Sequence, residues 1–175
     1  MSRALIESEA TTAPTRAVLL ARLAAPVTEP GFLESGAFAT LRAVCARLLP
    51  GPVTIDIAGA IDTRLIRGEG DGWRYDSMPA DGDAYAQGLA GIDRLTAERF
   101  GRSFVAASAA EQDAVLRATQ TQAPRFFEEL LAEAGELFFA HPLAQSAIGY
   151  AGYADFPGWT AIGLDEHDPR EPPLP

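Results

Sequence analysis

Lysine is absent from this chain of 175 residues: all 14 basic residues are arginine, against 24 acidic residues, for a formal charge of -10. Such a chain repels phosphate backbones, which sets aside nucleic acid as a partner, because that binding rests on cationic contacts. Cysteine occurs once, at Cys45, so no internal disulfide can form, and neither a Cys-x-x-Cys pair nor a haem-attachment Cys-x-x-Cys-His is present. The position of Cys45 in an apolar helical pattern points to a small buried side chain rather than a reactive thiol. Long hydrophobic runs are lacking too. Ala17 to Pro26, AVLLARLAAP, is interrupted by Arg22 and falls well short of the roughly 20 residues that span a bilayer. It has neither the charged start nor the cleavage site of a secretory signal, and no Arg-Arg pair precedes it. The expectation is a cytoplasmic chain that does not span a membrane and reaches the periplasm only if exported with a partner.

Alternating polar and β-branched residues are missing as well, and what is present has helical periodicity. Hydrophobic residues make up 47% and charged residues 22%, which fits one globular domain with a sizeable core. The predicted fold is all-α, a compact bundle of five or six helices with long loops and an extended, proline-rich C-terminal tail. Residues 1–14 read as a frayed polar tail. A short helix over Thr15 to Ala25 would turn Val18, Leu19 and Leu23 inward before Pro26. From Leu33 to Leu49 the spacing of Phe38, Leu41, Cys45 and Leu48 marks an amphipathic helix with Arg42 and Arg47 outside, stopped by Pro50-Gly51-Pro52. Ile55 to Arg67 reads as the next helix, with Thr54 as its cap, Asp56 in its first turn, and Ile55 and Ile66 widening the apolar arc of Ile57, Ile61 and Leu65.

A turn-rich loop from Gly68 to Asp83 carries Trp73 and Tyr75; loops of about 15 residues in compact domains tend to be functional or flexible. Ala84 to Phe100 is predicted helical, ended by a left-handed Gly101. Ser108-Ala-Ala-Glu111 is a capping box opening a helix to about Thr119. Pro124 then starts a helix of roughly 17 residues whose stripe is Phe127, Leu130, Leu131, Ala134, Leu137 and Phe138, with Gly135 inside it explained by close packing. His141-Pro142 ends it, and a loop from Gly149 to Trp159 follows.

Few side chains suggest chemistry. Only His141 and His167 could act as histidine ligands or bases. Glu133 and Glu136 share a helix face near His141, but the paired Glu-x-x-His motifs of di-iron bundles are absent, and a solvated acidic face explains Glu128, Glu129, Glu133 and Glu136 better. His141 reads as a cap or turn residue. No Gly-x-Ser-x-Gly occurs, and the acidic Gly68-Glu69-Gly70-Asp71-Gly72 stretch would repel phosphate. The residual signal is aromatic. Trp73, Tyr75, Tyr150, Tyr153, Phe156 and Trp159 sit in loops outside the periodic core positions, where they either fold inward or, as a set, form a partner interface.

Four segments resemble the small subunit, subunit 3, of the gluconate 2-dehydrogenase family: Thr40 to Pro52, Ile55 to Leu65, Gly88 to Ala118 and Phe126 to Trp159. Gly88-x-x-x-Ile92-Asp93, Arg99-Phe100-Gly101, Phe104-x-x-x-Ser108-x-x-Glu111-Gln112 and Gly149-Tyr150-x-Gly152 follow in order. The resemblance implies a subunit-3-type helical domain at 31–163, after a flexible segment at 1–30 and before an extended tail at 164–175. It also implies a noncatalytic accessory subunit without cofactor or catalytic residues of its own. The partner would be a large FAD-dependent flavoprotein of the glucose-methanol-choline type, acting on a sugar or sugar acid, with a cytochrome c subunit carrying electrons onward. The family's usual twin-arginine signal is not seen here. Two alternatives stay open: a stand-alone helical protein binding a small ligand or metal, and an assembly chaperone for the dehydrogenase.

Overall fold

The computed structural model describes residues 3–9, 11–51, 55–70 and 75–150. Among them are eight helices and no strand: α1 Arg3–Glu7, α2 Ala13–Ala24, α3 Ser35–Leu48, α4 Ile57–Arg67, α5 Asp81–Phe100, α6 Ala109–Gln122, α7 Pro124–Phe139 and α8 Pro142–Ala147. The all-α expectation holds, and the count exceeds five or six because α1 and α8 are helices of one to two turns without a readable stripe. None of the described helices is long and apolar enough to cross a membrane. The chain divides into two compact units, residues 26–138 and residues 1–25 with 139–175.

In the first of these, α3 packs against α4, α5 and α6, and α5 packs against α6. Leu41, Val44, Ile61, Leu89, Ile92, Phe104, Val115 and Leu130 are fully buried. The inward set of α3 is Phe38, Leu41, Val44 and Cys45, with Leu48 half-buried at the last turn. Entry to α3 is held by a group from another helix. The Asp62 carboxylate on α4, 1% exposed, accepts the N–H groups of Gly31 at 2.7 Å, Phe32 at 3.2 Å and Leu33 at 2.8 Å. Burying a carboxylate is tolerated because backbone donors replace its water.

The cap of α4 is Asp56, not Thr54, which lies outside the described residues. Asp56 accepts from Gly59 N–H at 3.3 Å and from the Thr28 N–H and hydroxyl at 2.7 and 2.9 Å. The first helical residue is therefore Ile57, two later than expected. Gly59 is required here, since an added Cβ would lie 1.9 Å from the Thr28 hydroxyl oxygen. Ile66 does not widen the buried arc, being 57% exposed. Arg42 and Arg47 do not simply point to solvent either. Arg42 lies over the Phe38 ring and donates to the Thr28 carbonyl, while Arg47 grips Asp113 of α6 through two bonds of 2.8 Å.

Helix α5 starts at Asp81, three residues before the predicted Ala84, because Asp81 and Asp83 in its first turn complement the helix dipole. Gly101 closes it in the left-handed region, φ 66°, as expected. The Ser108–Glu111 capping box is formed in both directions, and the Ser108 N–H holds the Glu111 carboxyl below its ordinary range. In α7 the buried face is Phe126, Phe127, Leu130, Ala134 and Phe138, whereas Leu131 is 42% exposed and Leu137 half-buried. The stripe is thus rotated toward Phe126, whose ring meets Tyr85 edge-on at 5.9 Å. That approach needs Gly88, where a Cβ would fall 2.2 Å from the Phe126 ring. Gly135 has no such reason, since a Cβ there would meet nothing.

In the other unit, α1 pairs with α2 and α2 with α8. Residues 1–14, read as a frayed tail, contain α1, whose Ile6 is buried along with Thr11. Arg16 explains that order: its guanidinium collects the carbonyls of Ile6 at 3.0 Å, Ser8 at 2.7 Å and Thr11 at 2.9 Å, which ties the end of α1 and the turn after it to α2. On α2 the buried residue is Leu19. Leu23 is half-buried, and Val18 faces outward at 49% exposure, contrary to expectation.

Removing the Asp62 carboxylate strands several amide groups at the start of α3. Asp62→Ala is expected to cost about 2–3 kcal/mol and Asp62→Asn less, read as shifts in the urea midpoint at constant slope.

Candidate functional site

In the unit formed by residues 26–138, helices α4, α5 and α7 bound a cleft of about 500 Å³. Six carboxylates line it, from Glu69, Asp81, Glu128, Glu129, Glu133 and Glu136, beside Arg64, Tyr75 and Leu137. At its floor Arg64 takes both oxygens of Glu133, the second at 2.9 Å, and reaches Asp81 and the Glu69 carbonyl at 2.7 Å each. The planar five-donor fork of arginine makes this possible, where an ammonium could not match two carboxylates and a carbonyl at once. The buried Tyr85 hydroxyl donates to the same Glu133 oxygen.

The electrostatics follow from this packing. Burial opposes the Arg64 charge, yet its hydrogen bonds to Glu133 and Asp81 outweigh that and raise its pKa above the ordinary value. Burial first, and then the Glu133 charge, push the Tyr85 phenol well above its ordinary pKa, so it remains a donor. Donors and acceptors at the floor are thereby engaged with one another, a geometry suited to clamping three helices. Glu133 is accordingly not part of a solvated acidic face: its side chain keeps 16% exposure and bridges to Arg64. Glu128 and Glu136 do face solvent.

Of the aromatic set, Trp73, Tyr153, Phe156 and Trp159 lie outside the described residues. Tyr75 stands at the rim of the cleft, half-buried, with the Arg125 guanidinium 4.0 Å from its ring centroid and its hydroxyl 3.4 Å from Glu128. Tyr150 belongs to the other unit, where it follows the left-handed Gly149, is 44% exposed and donates its N–H to the Gln145 carbonyl. Sequence reasoning missed Arg64, Asp81 and Tyr85 as one cluster. Tyr85 carried only a core signal, and nothing in the spacing joins Arg64 to Glu133, 69 positions away.

His141 caps α8. Its Nδ1 accepts the Leu143 N–H at 3.2 Å, which leaves the proton on Nε2 to donate to the Arg22 carbonyl at 3.1 Å. Arg22 replies by donating to the Ala140 carbonyl at 2.7 Å. Burial, helped by the Arg22 charge, depresses the His141 pKa below 6.5. His167 lies outside the described residues. Cys45 is buried, and desolvation together with the Glu133 and Asp56 charges pushes its thiol up to about 12. Among the described residues no group of three or more His, Cys, Asp or Glu is placed to hold a metal ion.

A family model described as gluconate 2-dehydrogenase subunit 3 matches residues 36–158, from the first turn of α3 through α8 and on to the Gly149 to Trp159 stretch. The chain belongs to that family. No curated protein and no solved structure matches it. Family membership makes it the accessory-subunit type of a dehydrogenase, and the matched span includes the Arg64 clamp and the His141 cap but begins after α1 and α2.

Two measurements check the site. Tyr85→Phe is expected to cost about 1 kcal/mol and Glu133→Gln more, with a coupling energy above about 0.5 kcal/mol in the double-mutant cycle. Because the folded His141 pKa lies below its ordinary 6.5, the folded chain binds fewer protons there than the unfolded chain, and stability is lost as pH falls below 6.5 toward the folded value. The protection factor of the Leu143 amide, with the base-catalysed intrinsic rate divided out, should fall as the pH is lowered from 7.5 through the folded His141 value, and a protection factor that rises on acidification would contradict the neutral cap.

Proposed function

We propose that this chain is the noncatalytic small subunit that binds and stabilises an FAD-dependent dehydrogenase subunit of the glucose-methanol-choline type, acting on a sugar or sugar acid. The family match across α3 to α8 carries this reading. FAD sits in the large partner, which takes up hydride from the substrate, while this chain contributes surface and stability. A cytochrome c subunit passes the electrons onward. The compartment follows the partner, cytoplasmic if it is retained and periplasmic if it is exported.

Arginines that bond within the chain support a scaffold role. Arg16, Arg22, Arg42 and Arg64 are engaged with backbone carbonyls or carboxylates of this chain. Of the loop aromatics, Tyr150, Tyr153, Phe156 and Trp159, which follow α8 in sequence, are assigned to the interface because such rings desolvate large areas while keeping a polar tip, whereas Tyr75 is engaged by Arg125 and Glu128 at the rim of the cleft.

Affinity purification of the chain from its native extract should recover a stoichiometric large subunit with flavin absorption bands. A lone colourless chain overturns the proposal, and a partner found only in inactive, immature preparations indicates a chaperone instead. Trp159→Ala or Tyr150→Ala should weaken the complex by about 2 kcal/mol, roughly thirtyfold in Kd, with helical circular dichroism unchanged.

A further inference from the structure

We infer that the dehydrogenase's large subunit docks through apolar side chains onto the outer face of α2 and α8, where Arg22 is the one exposed charge among the described residues of those two helices, and not onto the acidic cleft. This rests on the subunit reading above and names the surface that serves it. The unit built from residues 3–25 and 139–150 supplies 34 of the 140 described residues, yet holds five of the ten large apolar side chains that are exposed among them: Val18, Phe139, Leu143, Ile148 and Tyr150. Such side chains are about three times as dense there as in residues 26–138.

Charge is arranged to match. Leu137 to Ala154 is a run of 18 residues without a formal charge, twice the length of any other in this chain of 24 acidic and 14 basic residues. On α2 the two charged side chains are Arg16, half-buried, and Arg22, exposed, and both donate to backbone carbonyls within the unit. Among the exposed residues of α2, Pro14, Ala17, Val18 and Ala21 share one face at three- and four-residue spacing, with the exposed Arg22 beside them. The reciprocal bonds between Arg22, Ala140 and His141 join α2 to the start of α8, so both helices are presented on one scaffold. A membrane surface is a poor occupant, because anionic headgroups call for clustered arginine and lysine. A protein surface of matching apolar character fits, since the centres of interfaces are depleted in charge. Contact made this way is insensitive to salt, whereas docking on the carboxylates of the cleft would be screened by it.

The test uses the full chain co-purified with its large subunit. Leu143→Glu and Ile148→Glu alter exposed positions, and the first adds an acid to the opening turn of α8, where the helix dipole favours it. Each should lower the recovered large subunit at least tenfold while circular dichroism and Tm stay at wild-type values, and Leu143→Met should retain it. Ile66→Glu, at an exposed apolar position in the other unit, should change nothing, and the wild-type complex should persist when sodium chloride is raised tenfold. Hydrogen exchange on the unmodified complex gives a reading without substitution: slowed amides in residues 13–24 and 139–150 are expected. Wild-type recovery by both glutamate variants, a complex dissolved by salt, or slowing confined to α4, α5 and α7 would each overturn the assignment. So would light scattering that shows the chain alone pairing with a second copy through this face. If the wild type recovers no large subunit at all, the subunit reading fails and this one with it. A bound partner indifferent to the glutamates sinks this inference alone.

Discussion

A carboxylate surrounded by backbone N–H groups holds the α3–α4 pair in place. Asp62 is almost wholly buried, and its described bonds run to the amides of Gly31, Phe32 and Leu33 and to no cation. Those amides belong to the turn that leads into α3, and Ser35–Leu48 has no side-chain cap of its own. Asp56 repeats the device at the start of α4 through Thr28, and Asp93 does so for the buried Phe104 with a bond of 2.7 Å. Loops that would otherwise carry unsatisfied donors into the interior are thereby tied to helices already packed. Asp56, Asp62 and Asp93 thus serve as acceptors for backbone donors of this chain rather than as surface charge.

Arginine performs the complementary task on carbonyls. Arg16 gathers three between α1 and α2, Arg42 and Arg22 take one each, and Arg64 adds a carbonyl to two carboxylates. A planar fork can satisfy several acceptors while keeping its charge, which a chain without lysine uses at each of these joints.

Helices with a full apolar stripe were legible from residue spacing alone. The capping box at Ser108 and the left-handed Gly101 followed from local chemistry and need no tertiary knowledge. Where long-range partners decide, sequence reasoning stopped short. Asp56 displaced Thr54 as cap because Thr28 lies against it, and Arg64 finds Glu133 only once α4 and α7 are packed. Leu131 and Val18 fitted a helical period yet face outward, since periodicity locates a stripe without fixing its edges. The short α1 depends on Arg16, ten residues beyond Ile6, and so left no local sign. The aromatic set was legible as a composition but not as a place: Tyr75 and Tyr150 fall in different units.

The discontinuity of one unit bears on how the chain is made. Residues 26–138 are contiguous and can pack as soon as they leave the ribosome, whereas the unit containing α1 and α2 lacks α8 until residue 150 has emerged. At synthesis rates of about 5–20 residues per second, the delay is on the order of 10 s. Throughout that interval Arg22 has neither Ala140 nor His141 to hold, and the inner face of α2 that carries Leu19 waits without its closing helix. The nascent chain therefore carries the partners of α8 without α8 for most of its synthesis.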